Sequence, residues 1–310
     1  MVIGRFAPSP SGRMHLGNVM SALLAWLSAR SQNGEIVLRI EDLDPARCKQ
    51  LYADQLIDDL KWLGLNWDCR AENQSCRAHH YNDALVYLQE QNMVYPCYCS
   101  RDQLHAASAP HTTDGRIIYP GTCRNLTDVQ RSLNKKTPAW RLKLPDADIS
   151  FIDGLYGPIS MNLAKEFGDI IIRRADGVAA YQLAVVVDDA ANGITEVVRG
   201  NDLLSSTPVQ LYLYNQLNLP TPAFTHIPLL VSPDGKRLSK REHAVDIGYL
   251  RTRLMPEMII GMLSYLSGLI DRPEPVSPVD LISEFSWSKV HRENIVFKSD
   301  LFNDYFRVDL

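Results

Sequence analysis

The opening of the chain constrains the fold more than any other segment. Val2 to Phe6 suits a short strand, Ala7-Pro8-Ser9-Pro10-Ser11-Gly12 is dense in turn formers, and Leu16, Val19, Met20, Leu23, Leu24 and Leu27 recur at three-to-four spacing, predicting a helix from about His15. Strand, tight loop and helix in that order begin a β-α-β unit. The alternation continues: Glu35 to Ile40 reads as a strand, Tyr52 to Leu63 as a helix with Leu56, Ile57, Leu60 and Leu63 inward, and Ala78 to Asn92 as another helix. An α/β fold on a doubly wound, mainly parallel sheet is expected.

At 310 residues the chain exceeds a typical domain, so a catalytic body with a smaller appended unit is expected. The longest apolar runs, such as Leu183 to Val187, fall far short of a membrane span, and Met1 leads into Val2-Ile3-Gly4-Arg5-Phe6 without a signal pattern. Both features predict a soluble cytoplasmic protein, and a monomer is expected. A net charge of −4 argues against nonspecific coating of nucleic acid. Local basic clusters remain as a candidate phosphate-facing surface: Arg131, Lys135, Lys136, Arg141 and Lys143; Arg173 and Arg174; Lys236, Arg237, Lys240 and Arg241.

Between about Tyr95 and Arg124 the periodicity fails, and three of the six cysteines fall there. Regular patterns resume with strands at Asp169 to Arg173 and Ile194 to Val198, a helix at Leu203 to Leu217, and a strand at Ile227 to Val231 before Ser232-Pro233-Asp234-Gly235. From about Asp246 the patterns are helical, around Met258-Ile259-Met262-Leu263-Leu266 and Leu281 to Phe285. The expected division is residues 1–94 as the first half of the catalytic sheet, 95–140 as an insertion, 141–245 as the second half, and 246–310 as a helical unit.

Two constellations carry phosphate chemistry. In His15-Leu16-Gly17-Asn18, a histidine and a glycine open a helix directly after a strand and loop, where unpaired N–H groups and the helix dipole suit a polyphosphate. Lys236-Arg237-Leu238-Ser239-Lys240-Arg241 follows a strand and an Asp-Gly turn and supplies mobile cations; with Arg237 after Gly235-Lys236 it is not a P-loop. Either alone fits an ordinary helix start or a solvated basic loop.

Together, more than two hundred residues apart on a doubly wound fold, they resemble the paired signatures of class I aminoacyl-tRNA synthetases. Arg5-Phe6-Ala7-Pro8-Ser9-Pro10-Ser11-Gly12, Arg39-Ile40-Glu41-Asp42-Leu43-Asp44, Leu183-Ala184-Val185-Val186-Val187-Asp188-Asp189 and Val198-Arg199-Gly200-Asn201-Asp202 resemble segments of the glutamyl branch, in its order, over essentially residues 1 to 300. The residue chemistry agrees. Free glutamate carries two carboxylates and an ammonium, and Arg5, Arg199 and Glu41 supply two cations and an anion at strand ends.

The resemblance implies that Arg5, Phe6, Ala7, Pro8, Ser9, Glu41, Tyr181 and Arg199 hold L-glutamate. It implies that His15, Gly17, Asn18, Arg237, Ser239 and Lys240 meet ATP and its Mg2+, with His15, Gly17 and Lys240 as the catalytic set. Asn18 stands where the first signature usually ends in histidine, and Arg237 where the second commonly begins with lysine.

Cys97-Tyr98-Cys99 and Tyr119-Pro120-Gly121-Thr122-Cys123 bracket the irregular insert, where a structural Zn2+ would replace a missing core. In short family members the ligands match Cys97, Cys99, Tyr119 and Cys123; His105, His111 and Asp114 stay open as the fourth. Cys48, Cys69 and Cys76 lack ligand spacing and read as structural. The sequence stops at Leu310, where a full-length enzyme would continue into a helical anticodon-binding domain; a protein lacking that domain is expected, and it resembles a short branch that transfers glutamate to the queuosine base in the anticodon of tRNA(Asp). The alternatives are the catalytic portion of an enzyme charging tRNA(Glu), and a catalytically silent paralogue that binds tRNA or protein.

Overall fold

A computed structural model describes residues 1–100, 118–236, 238, 246–298 and 300–307. The first strand, β1 (Ile3–Phe6), pairs in parallel with β2 (Glu35–Leu38), which pairs in parallel with β3 (Cys69–Arg70). Further along, β9 (Glu196–Gly200) pairs in parallel with β10 (Ala223–Ile227). The amide N–H of Thr195, just before β9, donates to the carbonyl of Ile3 at 2.9 Å, setting β9 beside β1. The strand order is therefore β3-β2-β1-β9-β10. Between β1 and β9 the winding reverses, and a sheet of this kind opens a crevice there, at the carboxyl ends of its strands.

The helices cover this sheet. Helix α1 (Leu16–Ser31) packs on β1 and β9 and also meets the later helix Pro256–Ser267. Its apolar stripe is wider than the three-to-four pattern predicts, because Ala22, Ala25, Trp26, Ser28 and Ala29 are buried as well. Helices α2 (Gln50–Trp62), α3 (Ala78–Glu90) and α4 (Tyr181–Ala191) follow, then α5 (Thr207–Gln216) and α6 (Pro256–Ser267). The predicted Leu203 to Leu217 helix divides into a 3-10 segment, Asn201–Ser206, and α5, which Pro208 opens as a first-turn proline.

The antiparallel parts form separate sheets. Strand β4 (Val94–Cys97) pairs with β5 (Ala139–Leu142), which pairs with β8 (Ile170–Arg173), while β6 (Asp148–Asp153) and β7 (Gly157–Asn162) form a hairpin. Tyr95 to Cys97 thus belongs to a regular strand rather than to an irregular insert.

Two other expectations fail. The apolar run from Ile227 to Val231 is interrupted, because Pro228 has no N–H to donate; β10 ends at Ile227, and β11 (Leu230–Val231) pairs instead with β12 (Ile295–Val296). Leu281 to Phe285 is a series of turns rather than a helix. Its bonds run from Leu281 N–H to Pro278 O and from Glu284 N–H to Leu281 O, and the short run behind Pro278 does not propagate. The chain after Asp246 still shares the main core: Ile259, Leu263, Phe297 and Phe302 pack in one cluster with Leu16 and Leu23. Among the described residues, no helix is long and apolar enough to cross a membrane.

Candidate active site

A cavity of about 440 Å³ lies at the reversal between β1 and β9. Arg5, Phe6, Ala7, Pro8, Ser9, His15, Gly17, Asn18, Glu41, Tyr181 and Arg199 all line it. Residues from the first strand, the loop after β2, the start of α4 and the end of β9 therefore converge, although up to 194 positions separate Arg5 from Arg199.

The two arginines are set from opposite sides of the reversal. Arg5 donates through Nη1 to the carbonyl of Val198 at 3.0 Å and faces Asp189 at 3.7 Å. Arg199 donates from Nη1 to the Tyr181 hydroxyl at 3.5 Å and from Nη2 to Thr207 Oγ1 at 2.8 Å, and it lies over the ring of Phe224. Burial pushes the Arg199 guanidinium below its ordinary pKa, yet a guanidinium stays charged. Burial likewise pushes the Tyr181 phenol up.

Glu41 is positioned by Arg39, a residue of the sequence motif to which the pattern alone gave no role. Arg39 is wholly buried (0 % exposed); it donates to Glu41 Oε1 at 3.1 Å, meets Asp189 at 2.7 Å and stands 3.9 Å from Asp188. Asp188 in turn accepts from Gln74, Arg77 and Tyr81. Burial works against the charge on Arg39, but Asp189, Glu41 and Asp188 more than offset it and raise its pKa. For Glu41 burial wins over Arg39, and its carboxyl is held above the usual range.

At the phosphate end, His15 is the N-cap of α1, and its own N–H donates to Asn18 Oδ1 at 3.1 Å. Asn18 thus closes the helix start with the side chain that replaces the second histidine of the usual signature. A Cβ built on Gly17 would stand 3.1 Å from the His15 ring, so a side chain there presses directly on the imidazole. Arg237, Ser239 and Lys240 lie outside the described residues. The residues flanking them are fixed at the cavity: Leu238 is buried and donates to Leu230 O, Asp246 bridges to His15, and Ile247 N–H donates to Met14 O at 3.1 Å.

The cavity wall also contains Arg13, Asp202 and the edge at Leu229 and Leu230, which the motifs did not single out. Asp202 closes the Val198-Arg199-Gly200-Asn201-Asp202 motif, but a single aspartate in a sequence carries no pattern. Among the basic clusters, Arg141 is not on a phosphate-facing surface. It is buried at the cysteines. Arg174 pairs with Asp176 and Asp44, and Lys236 with Asp234.

Cys97, Cys99 and Cys123 place their sulfurs within 4.8 Å of one another. Cys99 and Cys123 are 3.6 Å apart, and the Tyr119 hydroxyl lies 3.4 Å from Cys97 and 3.7 Å from Cys99. Four ligands about 2.3 Å from one tetrahedral ion stand about 3.8 Å apart, so three sulfurs and a phenol oxygen fit zinc. Burial pushes the Cys97 thiol up, but its hydrogen bonds with Tyr119 and Arg141 reverse this and leave it lowered. Burial raises Cys99 to about 11. His105, His111 and Asp114 lie outside the described residues. Cys69 and Cys76 are exposed and are not core residues; Cys48 is half-buried, 3.7 Å from the Glu41 carbonyl.

Comparison with known proteins places this geometry. The family model for tRNA synthetases class I (E and Q), catalytic domain, matches residues 1–300. A glutamyl-Q tRNA(Asp) synthetase from Symbiobacterium thermophilum is 50% identical over 314 residues, covering 95% of each chain, and one from Nitratidesulfovibrio vulgaris is 45% identical over 97% of each. A solved glutamate tRNA ligase from Elizabethkingia meningosepticum, in complex with its amino acid, superimposes with a TM-score of 0.84 at 28% identity, covering 98% of this chain and 69% of that one. The chain belongs to the family of class I glutamyl- and glutaminyl-type tRNA synthetase catalytic domains.

Proposed function

We propose that the protein activates L-glutamate with ATP and transfers it to the queuosine base in the anticodon of tRNA(Asp). The observation that carries this reading is the pair of buried arginines, Arg5 and Arg199, facing buried Glu41 in one cavity. That set matches the two carboxylates and one ammonium of glutamate. The acceptor follows the relatives named glutamyl-Q tRNA(Asp) synthetase, which align over 95–97% of their length.

In the first step the α-carboxylate oxygen of glutamate attacks the α-phosphorus of ATP and pyrophosphate leaves, giving glutamyl-adenylate without a protein nucleophile. Arg5, Arg199 and Glu41, with Ala7, Ser9 and Tyr181 around them, hold the amino acid. His15, Gly17 and Asn18 at the start of α1, with Arg237, Ser239 and Lys240, hold the phosphates, and Mg2+ enters as the nucleotide's counter-ion. In the second step a cyclopentenediol hydroxyl of queuosine attacks the acyl carbon, AMP departs and the hydroxyl proton passes to solvent. Cys97, Cys99, Tyr119 and Cys123 would hold Zn2+, which would supply structure to the 95–140 insertion. Residues 1–94 and 141–245 form the catalytic body, 246–310 a helical unit that resembles the stem-contact region of full-length enzymes, and the protein acts as a cytoplasmic monomer.

The test is ATP–pyrophosphate exchange with glutamate, with and without tRNA, followed by labelling of tRNA(Asp) that carries or lacks queuosine. Exchange without tRNA and labelling only of queuosine-bearing tRNA(Asp) support the proposal. Strict dependence on tRNA(Glu), with charging of its 3′ end, would establish the conventional activity instead. No exchange under any condition would leave a binding paralogue.

Two substitutions probe the assigned roles. Glu41→Gln is expected to raise the glutamate KM on the order of 10- to 100-fold, as a buried charged bond to the ammonium is lost, while the ATP KM holds. Burial sets the Glu41 pKa above its usual range, so native affinity falls as the pH drops through that value and the carboxylate takes up a proton. A glutamate KM in the variant as pH-dependent as the native one would refute the role.

Arg141 donates through Nε to Cys97 Sγ at 3.2 Å, and its guanidinium lies 3.6 Å from the Tyr119 ring centroid. This cation offsets the excess negative charge of three thiolates. Arg141→Met should weaken zinc binding on the order of 10- to 100-fold in chelator competition. Unchanged affinity would show that the arginine only packs.

A further inference from the structure

Asp153 and His226 are both wholly or almost wholly buried, at 1 % and 0 % exposure, and neither lines the cavity. They nevertheless connect directly to it. Asp153 ends β6, and its Oδ1 accepts from the N–H groups of Leu155 and Tyr156 at 3.0 and 2.9 Å. Its Oδ2 receives the His226 backbone N–H at 3.1 Å and lies 2.6 Å from His226 Nδ1. The other ring nitrogen of His226, Nε2, stands 3.0 Å from Nε of Arg199 and 3.1 Å from the Thr207 hydroxyl.

The proton positions follow from the donor inventory. A guanidinium has five N–H donors and no acceptor, so the contact with Arg199 exists only if Nε2 carries a lone pair. The proton then sits on Nδ1 and points at Asp153. A carboxylate, which only accepts, selects that tautomer. Burial and the nearby Arg199 charge also disfavour a protonated ring and lower the His226 pKa, against the pull of Asp153. The hairpin is built to approach closely here: a Cβ on Gly154 would lie 2.1 Å from Thr225 Oγ1, while the Gly154 N–H donates to Phe224 O.

We infer that Asp153 and His226 form a positioning relay that fixes the orientation of Arg199, so that selection of the amino acid depends on a hairpin outside the cavity. The inference rests on the glutamate-activating reading. Asp153 fixes the imidazole tautomer, the imidazole holds Nε of Arg199, and Thr207 holds Nη2. The guanidinium plane is thereby locked, and its remaining edge reaches Tyr181 at the cavity. A planar fork needs such a lock to meet a carboxylate with two bonds.

Asp153→Asn tests the relay with little change in shape. The amide still accepts from Leu155 and Tyr156, but its NH2 faces Nδ1, moves the ring proton to Nε2 and sets two donors against each other at Arg199. The expected result is a glutamate KM raised on the order of 10- to 100-fold with the ATP KM within about twofold. His226→Gln keeps an acceptor toward Arg199 while discarding the bond to Asp153. It should retain a lower glutamate KM than Asp153→Asn, even if it melts lower. In the native protein, 15N-labelled histidine spectra at neutral pH should show His226 as the Nδ1–H tautomer.

An Nε2–H or doubly protonated ring overturns the relay without any variant. So does native-like glutamate KM in folded Asp153→Asn, or a fall in both KM-derived affinities together. If the native protein shows no glutamate-dependent exchange, the activity reading fails and this inference with it; exchange by the native protein with an unaffected Asp153→Asn sinks the relay alone.

Discussion

Arg39→Met is expected to cost on the order of 3–5 kcal/mol of stability at neutral pH, the range found when one partner of a buried ion pair is removed. Arg39 is the cation among three buried carboxylates, Glu41, Asp188 and Asp189, and Met fills similar space without charge. Asp188 keeps Arg77, Gln74 and Tyr81. Glu41 and Asp189 lose their closest cation.

The pH dependence follows from linkage. Burial already raises the Glu41 pKa and Arg39 opposes that rise; without Arg39 the Glu41 carboxyl holds its proton more tightly in the folded chain than in the unfolded one, so folding is favoured where it is protonated. The deficit should therefore grow as pH rises from the unfolded glutamate pKa through the raised folded value of Glu41, and shrink again as the pH is lowered. Urea midpoints measured at pH 7 and pH 5 check this. A native midpoint at pH 7, or a deficit that grows on acidification, would refute the role assigned to Arg39. The expected functional effect goes with it, because Glu41 loses the donor that holds Oε1.

Arg39 shows where the sequence was readable and where it was not. The order of elements around the opening was readable because hydrophobic spacing and turn residues are local: β1, the loop and α1 stand where Phe6, Gly12 and His15 predict them. Arg5, His15, Glu41 and Arg199 were also accessible, because each belongs to a contiguous motif at or just after a strand end, whereas Tyr181 came from the resemblance alone and Arg13, Leu229 and Leu230 carried no signal. The cysteine cluster was signalled by spacing, and Tyr119 by resemblance alone.

Pairings between distant charges were not readable. Arg141 reads as one more surface cation in a run of lysines, since nothing local reports that β5 carries it beneath Cys97. Asp153 and His226 lie 73 residues apart in unremarkable strands, and only the close approach of the β6–β7 hairpin to β10 makes them partners. Leu281 to Phe285 misled for the opposite reason. Its local apolar spacing is helical, but the stretch behind Pro278 is too short to extend a nucleus, and Leu281 is buried through turns.

The commitments of the arginines in the cavity wall lead to Lys240. Among the described residues lining the cavity, the arginines are already engaged. Arg5 is bonded to Val198 O and faces Asp189; Arg13 makes two bonds to Asp59, at 3.1 and 2.9 Å; and Arg199 is held by His226 and Thr207. The start of α1 offers a dipole and N–H groups, but a triphosphate that gains charge on its leaving pyrophosphate calls for a further cation as well.

Lys240 lies in sequence between Leu238, whose N–H donates to Leu230 O, and Asp246, which forms a β-bridge with His15 beside the cavity. Lys240→Ala is therefore expected to lower the rate of glutamate-dependent pyrophosphate exchange on the order of 10²- to 10³-fold, the scale of losing one preorganised charge at the transition state. Glutamate binding measured by calorimetry and the thermal midpoint should both stay at native values, because the amino-acid pocket is assembled from β1, β9 and Glu41. Exchange above about a third of the native rate would show that the phosphates are stabilised by groups already in the cavity wall, with Arg13 released from Asp59 as the first to examine.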